Sequence, residues 1–268
     1  MQVIFNHIPK TGGITFRSIL FKKYKAGHVF FIDSRNISAS IQILRKMPVG
    51  ELEKYKAIAG HGADFITEII EKPFRVTILR EPIQLFISQY IFLKTNKGTI
   101  FFDDVRQLKN IENYLDYAIE KGQDNLLVRY LSGSMEWLIK PELPIPKMEE
   151  KGSILIKKAK QALTGYDAVL NLSTFDKGVF AISQKLGWKQ IPIYRPQNQN
   201  RSKMANLNLS HESKLRLNHV LRFDIDLYKW FLKSELDIAN QANANQVQFQ
   251  KFILRQKILN FVGSFIKN

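Results

Sequence analysis

One lysine, two threonines and two glycines lie close together in Asn6-His7-Ile8-Pro9-Lys10-Thr11-Gly12-Gly13-Ile14-Thr15-Phe16. Their types suit one task, the holding of a phosphate-like anion. Lys10 supplies a mobile cation, Thr11 and Thr15 supply hydroxyl donors, and Gly12 and Gly13 let the backbone approach a ligand closely. The order is not that of a Walker A loop, which places its lysine after the second glycine with Ser or Thr next. Here Lys10 precedes both glycines and Ile14 follows them. A plain Pro-Gly turn is the alternative.

Three further positions could do related chemistry. His61 stands between Gly60 and Gly62, small neighbours that leave an imidazole open to a ligand. A neutral histidine takes up a proton near pH 7; a satisfied structural histidine is the plainer reading. Arg80 and Ser88 lie in Thr77-Ile78-Leu79-Arg80-Glu81-Pro82-Ile83-Gln84-Leu85-Phe86-Ile87-Ser88-Gln89-Tyr90. A surface ion pair with Glu81 is the ordinary explanation of Arg80. Between Tyr194 and Met204, Arg195, Arg201 and Lys203 are set among Asn and Gln. This reads as a polar loop able to fold over an anion, with Arg201 as a candidate ligand residue.

The surrounding pattern says which elements must position these groups. Val3-Ile4-Phe5 reads as a strand, and Phe16, Ile19, Leu20 and Tyr24 fall on one face of a helix. The glycine stretch therefore sits on a strand-to-helix turn, where free N–H groups and the positive end of the helix dipole favour anions. Further strands are expected at 28–32, 55–62, 74–79 and 167–172, and helices at 36–46, 103–133, 153–163, 175–186 and 210–234. Residues 141–152, with three prolines, read as a loop or insertion. Pro82 suits the first position of a helix whose apolar face is Ile83, Ile87, Tyr90 and Ile91. Alternating strands and helices predict an α/β fold with a central, mainly parallel sheet. In such sheets ligands bind at the carboxyl ends of the strands, so Lys10 and Arg80 are expected to share one edge.

The chain divides into residues 1–235 and a tail, 236–268. The tail is read as a linker rich in Ala, Asn and Gln followed by an amphipathic helix. Phe252, Leu259, Val262 and Ile266 form a stripe, accompanied by Lys251, Arg255 and Lys257, with no acidic residue after Asp237. That helix suits a membrane surface or an oligomer contact, or docks on the protein's own core.

Composition sets outer limits. The 268 residues include 40 Lys and Arg against 24 Asp and Glu, a formal net charge of +16. The excess points to an anionic ligand, polymer or surface. With no cysteine, disulfides, thiolate metal sites and cysteine nucleophiles are excluded. A reducing compartment fits, and no signal pattern or membrane span is visible. The expected location is cytoplasmic.

Two separated stretches now agree. His7 to Phe16 resembles the 5′-phosphosulfate loop of carbohydrate sulfotransferases, and Thr77 to Tyr90 resembles their 3′-phosphate motif. The likeness is to the group that includes the heparan sulfate 2-O- and 6-O-sulfotransferases. Asp124 to Gly133, and Leu170 through Trp188, resemble two weaker family segments. The resemblance implies a P-loop NTPase-like three-layer sandwich with added C-terminal helices. It also implies the donor 3′-phosphoadenosine 5′-phosphosulfate (PAPS) and the product adenosine 3′,5′-bisphosphate (PAP), with no metal. By that resemblance Lys10, Thr11, Gly12, Gly13 and Thr15 surround the 5′ phosphate, Arg80 and Ser88 hold the 3′ phosphate, and His61 is the base. Asp64 and Glu68 are the alternatives for that last role.

The implied reaction sulfates a hydroxyl of a glycan or related acceptor, acidic in character given the positive charge. Glu81, Leu85 and Ile14 depart from the usual Asp, Arg and Thr. The missing membrane anchor suggests a soluble, bacterial relative rather than a Golgi enzyme. A P-loop nucleotide kinase and a non-catalytic protein that binds an anionic polymer are the competing readings. No nucleic-acid motif is present, and a homo-oligomer stays open.

Overall fold

The computed structural model describes residues 1–140, 142–195, 209–240 and 246–265. Five strands form one parallel sheet: β1 (Val3–Asn6), β2 (Val29–Phe31), β3 (Ala57–Gly60), β4 (Phe74–Leu79) and β5 (Ala168–Asn171), in the order β2-β3-β1-β4-β5. β1 is central. Val3 pairs with Ala57 on one side and Phe74 on the other, and Asn6 with Gly60 and Thr77. Every residue of β1, β3 and β5 is buried. Unbroken apolar runs of this kind are required of parallel strands covered on both faces.

The covering elements are, in chain order, α1 (Gly13–Tyr24), α2 (Ile37–Lys46), α3 (Val49–Leu52), α4 (Pro82–Thr95), α5 (Phe102–Gln107), α6 (Ile111–Glu120), α7 (Leu126–Leu131), α8 (Met148–Thr164), α9 (Phe175–Lys185), α10 (His211–Val220), α11 (Arg222–Lys233) and α12 (Gln246–Phe265). A 3₁₀ turn, Ala63–Ile69, follows β3. On one face of the sheet Val3, Phe5, Val76 and Leu170 pack with Phe16 and Leu20 of α1, Val179 of α9 and Phe252 of α12. On the other, Ile4 and Ile58 meet Ile37, Ile41 and Leu44 of α2. There too, Leu79 and Val169 meet Leu155 of α8 and Phe231 of α11. The result is helices, sheet and helices in three layers, as expected for the α/β class.

Two stretches differ from the sequence reading in a way that chemistry explains. α8 starts at Met148, inside the presumed loop of 141–152. Glu149 and Glu150 suit the positive end of the helix. Gly152, which reads as a breaker, is needed because Phe223 lies against it: a Cβ there would meet the ring at 2.2 Å. In the tail the start of the stretch read as a linker is tied down, while the helix docks on the core, one of the courses the sequence left open. Ile238 and Ala239 are buried, and Asp237 bridges to Val169 at the edge of β5. Gln256 of α12 accepts from Tyr194 N at 3.2 Å and donates to the Pro192 carbonyl at 3.2 Å.

Candidate functional site

β1 ends at Asn6, and the chain turns through His7 to Gly12 into α1. The turn is backbone-strained at its cation. Lys10 has φ 63° and Gly12 has φ 90°, in the left-handed region that lysine rarely adopts. Gly12 is the N-cap of α1 and brings no side chain, so the first N–H groups of the helix have no side-chain cap. Thr11 is fully buried and its hydroxyl donates to the Ile8 carbonyl at 2.8 Å. It braces the turn. Thr15 is buried in the first turn of α1.

Arg80 follows β4 directly and reaches across the sheet edge: Nη1 donates to the Lys10 carbonyl at 2.9 Å. The two cations expected to share one edge are therefore joined through the backbone of one of them. Lys10 lays Nζ over the Phe92 ring, 3.9 Å from its centroid, and no carboxylate pairs with it among the described residues. Burial, then Arg80, lowers the Lys10 amine to about 8. Burial likewise lowers Arg80. Two half-buried cations held side by side at a helix N-terminus repel each other, and Glu81 offsets part of this at Arg80. Ser88 is buried two turns into α4. Glu81 accepts from Ile83 N at 3.1 Å and Gln84 N at 2.7 Å, so it caps α4 as an aspartate would.

His61 follows β3 and packs in a column of rings. His7 lies 4.5 Å from it, centroid to centroid, and Phe5 stacks on His7 at 5.6 Å. Tyr130 of α7 flanks it at 5.9 Å. Nδ1 of His61 sits 2.5 Å from the His7 carbonyl. A carbonyl only accepts, so Nδ1 carries the proton and Nε2 keeps its lone pair. Burial, with Arg17 adding to it against the His7 carbonyl, lowers the His61 ring to about 4. It is neutral at pH 7.

That depression has a measurable consequence. A histidine that binds its proton less readily folded than unfolded stabilises the fold above 6.5, and this contribution is lost as pH falls toward 4. The drop corresponds to up to about 3 kcal/mol. Urea unfolding at several pH values should show stability falling across this window in the native protein and falling less steeply in His61→Gln. Equal slopes would mean that His61 titrates like an exposed imidazole.

Sequence reasoning missed His7 and Arg17. His7 is 5 % exposed, its Nδ1 has no hydrogen-bond partner among the described residues, and burial, then His61, holds its ring well below the ordinary histidine range. It also explains Gly13: a Cβ there would meet the His7 ring at 1.9 Å. Gly13 thus makes room for a histidine. Arg17, one turn into α1, rests on Phe31 at 4.3 Å and adds positive field to both histidines.

The alternative bases are placed elsewhere. Glu68 is exposed and paired with Arg45 at 2.8 Å. Asp64 accepts from Asn6 Nδ2 at 2.7 Å, from the Tyr166 hydroxyl and from Arg75 at 3.3 Å. Burial raises its carboxyl against these donors, and pushes Tyr166 well above the ordinary phenol value. This cluster borders a cavity of about 260 Å³ that Tyr130, Ser132 and Lys158 also line. Arg201, read as a ligand residue, lies outside the described residues. Among the described residues no group of three or more His, Asp or Glu could hold a metal. No known protein-family model matches the chain, and no curated protein matches it.

Proposed function

We propose that the chain transfers a sulfuryl group from PAPS to a hydroxyl of a glycan or related acceptor, on a P-loop-like variant of the α/β fold. The observation that carries this reading is the junction of Lys10 and Arg80. Both are half-buried, both are lowered by burial, and the guanidinium of one grips the carbonyl of the other beside the glycine-capped start of α1. The junction fits a donor with phosphates at two ends. Lys10, Gly12 and Gly13 would hold the 5′ end, and Arg80 with Ser88 the 3′ phosphate.

Bound there, the donor would supply an activated sulfuryl group on a phosphate that gathers negative charge as it leaves. Lys10 and the first N–H groups of α1 would stabilise that charge. His61, a base weakened by burial, would take the acceptor's proton at Nε2, the nitrogen that its bond to the His7 carbonyl leaves open. Asp64 is already engaged by three donors and Glu68 by Arg45, which favours His61. The net charge of +16 suits an acidic acceptor.

Thermal unfolding with PAP tests the reading, with ATP as control. At about 100 times its dissociation constant a ligand adds roughly 2.7 kcal/mol of stability. The expected result is a clear upward shift with PAP, a weaker one with ATP, and loss of the PAP shift in Arg80→Ala. No shift with PAP in folded protein overturns the reading. An equal or larger shift with ATP points instead to a nucleotide kinase.

A further inference from the structure

α12 is apolar on two opposite faces. The inner face docks: Phe252 is buried in the core beneath the sheet, Gln256 holds Tyr194 and Pro192, and Asn260 donates to the Tyr194 carbonyl at 3.0 Å. The outer face carries Val247, Leu254, Ile258 and Phe261, exposed by 69, 59, 52 and 66 %. Their intervals of seven, four and three residues keep them on one stripe of a helix. A helix that is merely a lid on its own core has no reason to be apolar on its outer side, where polar residues ordinarily face water.

We infer that this outer face of α12 lies on an anionic membrane surface. Charge separates this occupant from the others. Lys251 and Lys257 flank the stripe and are exposed, Arg255 adds a third cation, and the helix has no acidic residue. In a symmetric dimer the same lysines of two chains, each with a net charge of +16, would face one another. A stripe spanning about 21 Å along a helix about 10 Å across offers roughly 200 Å², against the roughly 800 Å² per partner of a stable protein interface. Such a strip is enough for a helix that sinks its apolar side into the headgroup boundary while lysines reach back to the phosphates. Among the described residues no helix is long and apolar enough to cross a membrane, so α12 lies on the surface, held from behind by the core. This inference stands independently of sulfuryl transfer.

Co-sedimentation with vesicles tests it, comparing phosphatidylcholine alone with an equal mixture of phosphatidylcholine and phosphatidylglycerol. The native protein should pellet with the anionic vesicles and far less with the neutral ones. The variant Val247→Ser/Leu254→Ser/Ile258→Ser should bind at least about tenfold more weakly. Lys251→Glu/Lys257→Glu should also weaken binding. Both sets of changes are on the solvent side, and unchanged melting temperatures would show that the core is intact. Failure of the native protein to bind anionic vesicles overturns the inference. So does binding that the serine variant leaves unchanged, which would be adsorption by net charge alone. A solution dimer that the serine variant turns into a monomer overturns it in favour of a second copy.

Discussion

Lys10→Ala is expected to lower kcat for sulfuryl transfer by about two to three orders of magnitude, while the folded protein becomes no less stable. The two halves of this result have one cause. Lys10 is held in a left-handed conformation at φ 63°, is half-buried, and is lowered to about 8 by burial and by Arg80. Each of these is unfavourable to the fold, and alanine removes the buried charge and its repulsion from Arg80. Strained, like-charged groups persist where a ligand needs them. Steady-state turnover with PAPS and a panel of glycan acceptors, beside urea unfolding of both proteins, would measure both halves. Near-native turnover in the variant would sink the assignment of Lys10. A large loss of stability would show that the lysine stem, not its charge, is what the loop requires. The same lysine sets a pH dependence. An anion at this site favours the protonated amine, so PAP affinity should decline above pH 8 in the native protein and stay flat in Lys10→Arg.

Much of this site was legible because parallel strands are simple to read. Val3–Asn6, Ala57–Gly60, Phe74–Leu79 and Ala168–Asn171 are short apolar runs bounded by polar or small residues, and each announced its carboxyl end. Lys10 and Arg80 could be placed on one edge from that alone. What was not legible was the partner of each group. Nothing in the spacing says that the His7 carbonyl fixes the tautomer of His61, that the hydroxyl of Thr11 is spent on Ile8, or that Gly13 accommodates an imidazole. These are contacts across a turn or between strands far apart in sequence, and local patterning carries no record of them. The departure at Glu81 shows the converse. It looked like a mismatch to a motif, yet its longer side chain reaches the same two N–H groups at the head of α4. In α12 the periodicity gives a face but not its depth. Phe252 and Leu259, seven residues apart, share one side of the helix, yet Phe252 is 8 % exposed and Leu259 is 38 % exposed, because spacing alone does not say how far along the helix the core covers that side.

The largest expected loss of stability lies away from the ligand loop, at Arg129. Its guanidinium is 1 % exposed and bonds Asp124 Oδ1 at 2.6 Å, the Asp124 carbonyl at 2.8 Å and the Pro146 carbonyl at 2.8 Å. Asn125 donates to the other oxygen of Asp124 at 3.0 Å. Above this pair, Asp224 of α11 accepts from Leu127 N and Val128 N at 3.0 and 2.8 Å, capping α7 from a distant part of the chain. Arg129→Ala would leave the Asp124 carboxylate buried without its counter-charge, at a cost of about 3–5 kcal/mol. Ordinary domains hold only about 5–15 kcal/mol in total. Arg129→Lys should recover only part, because an ammonium cannot reach three carbonyl and carboxyl oxygens in one plane. The apolar double variant Asp124→Leu/Arg129→Met should be more stable than Arg129→Ala, since it removes both charges together. Urea midpoints of the three variants would test this ordering. A loss under about 1 kcal/mol in Arg129→Ala would mean that water reaches the pair, and a double variant no better than the single one would mean that hydrogen bonding, not charge, dominates. The consequence extends to the site, because α7 also carries Tyr130 against His61. A core ion pair that fixes α7 thereby fixes one wall of the candidate base.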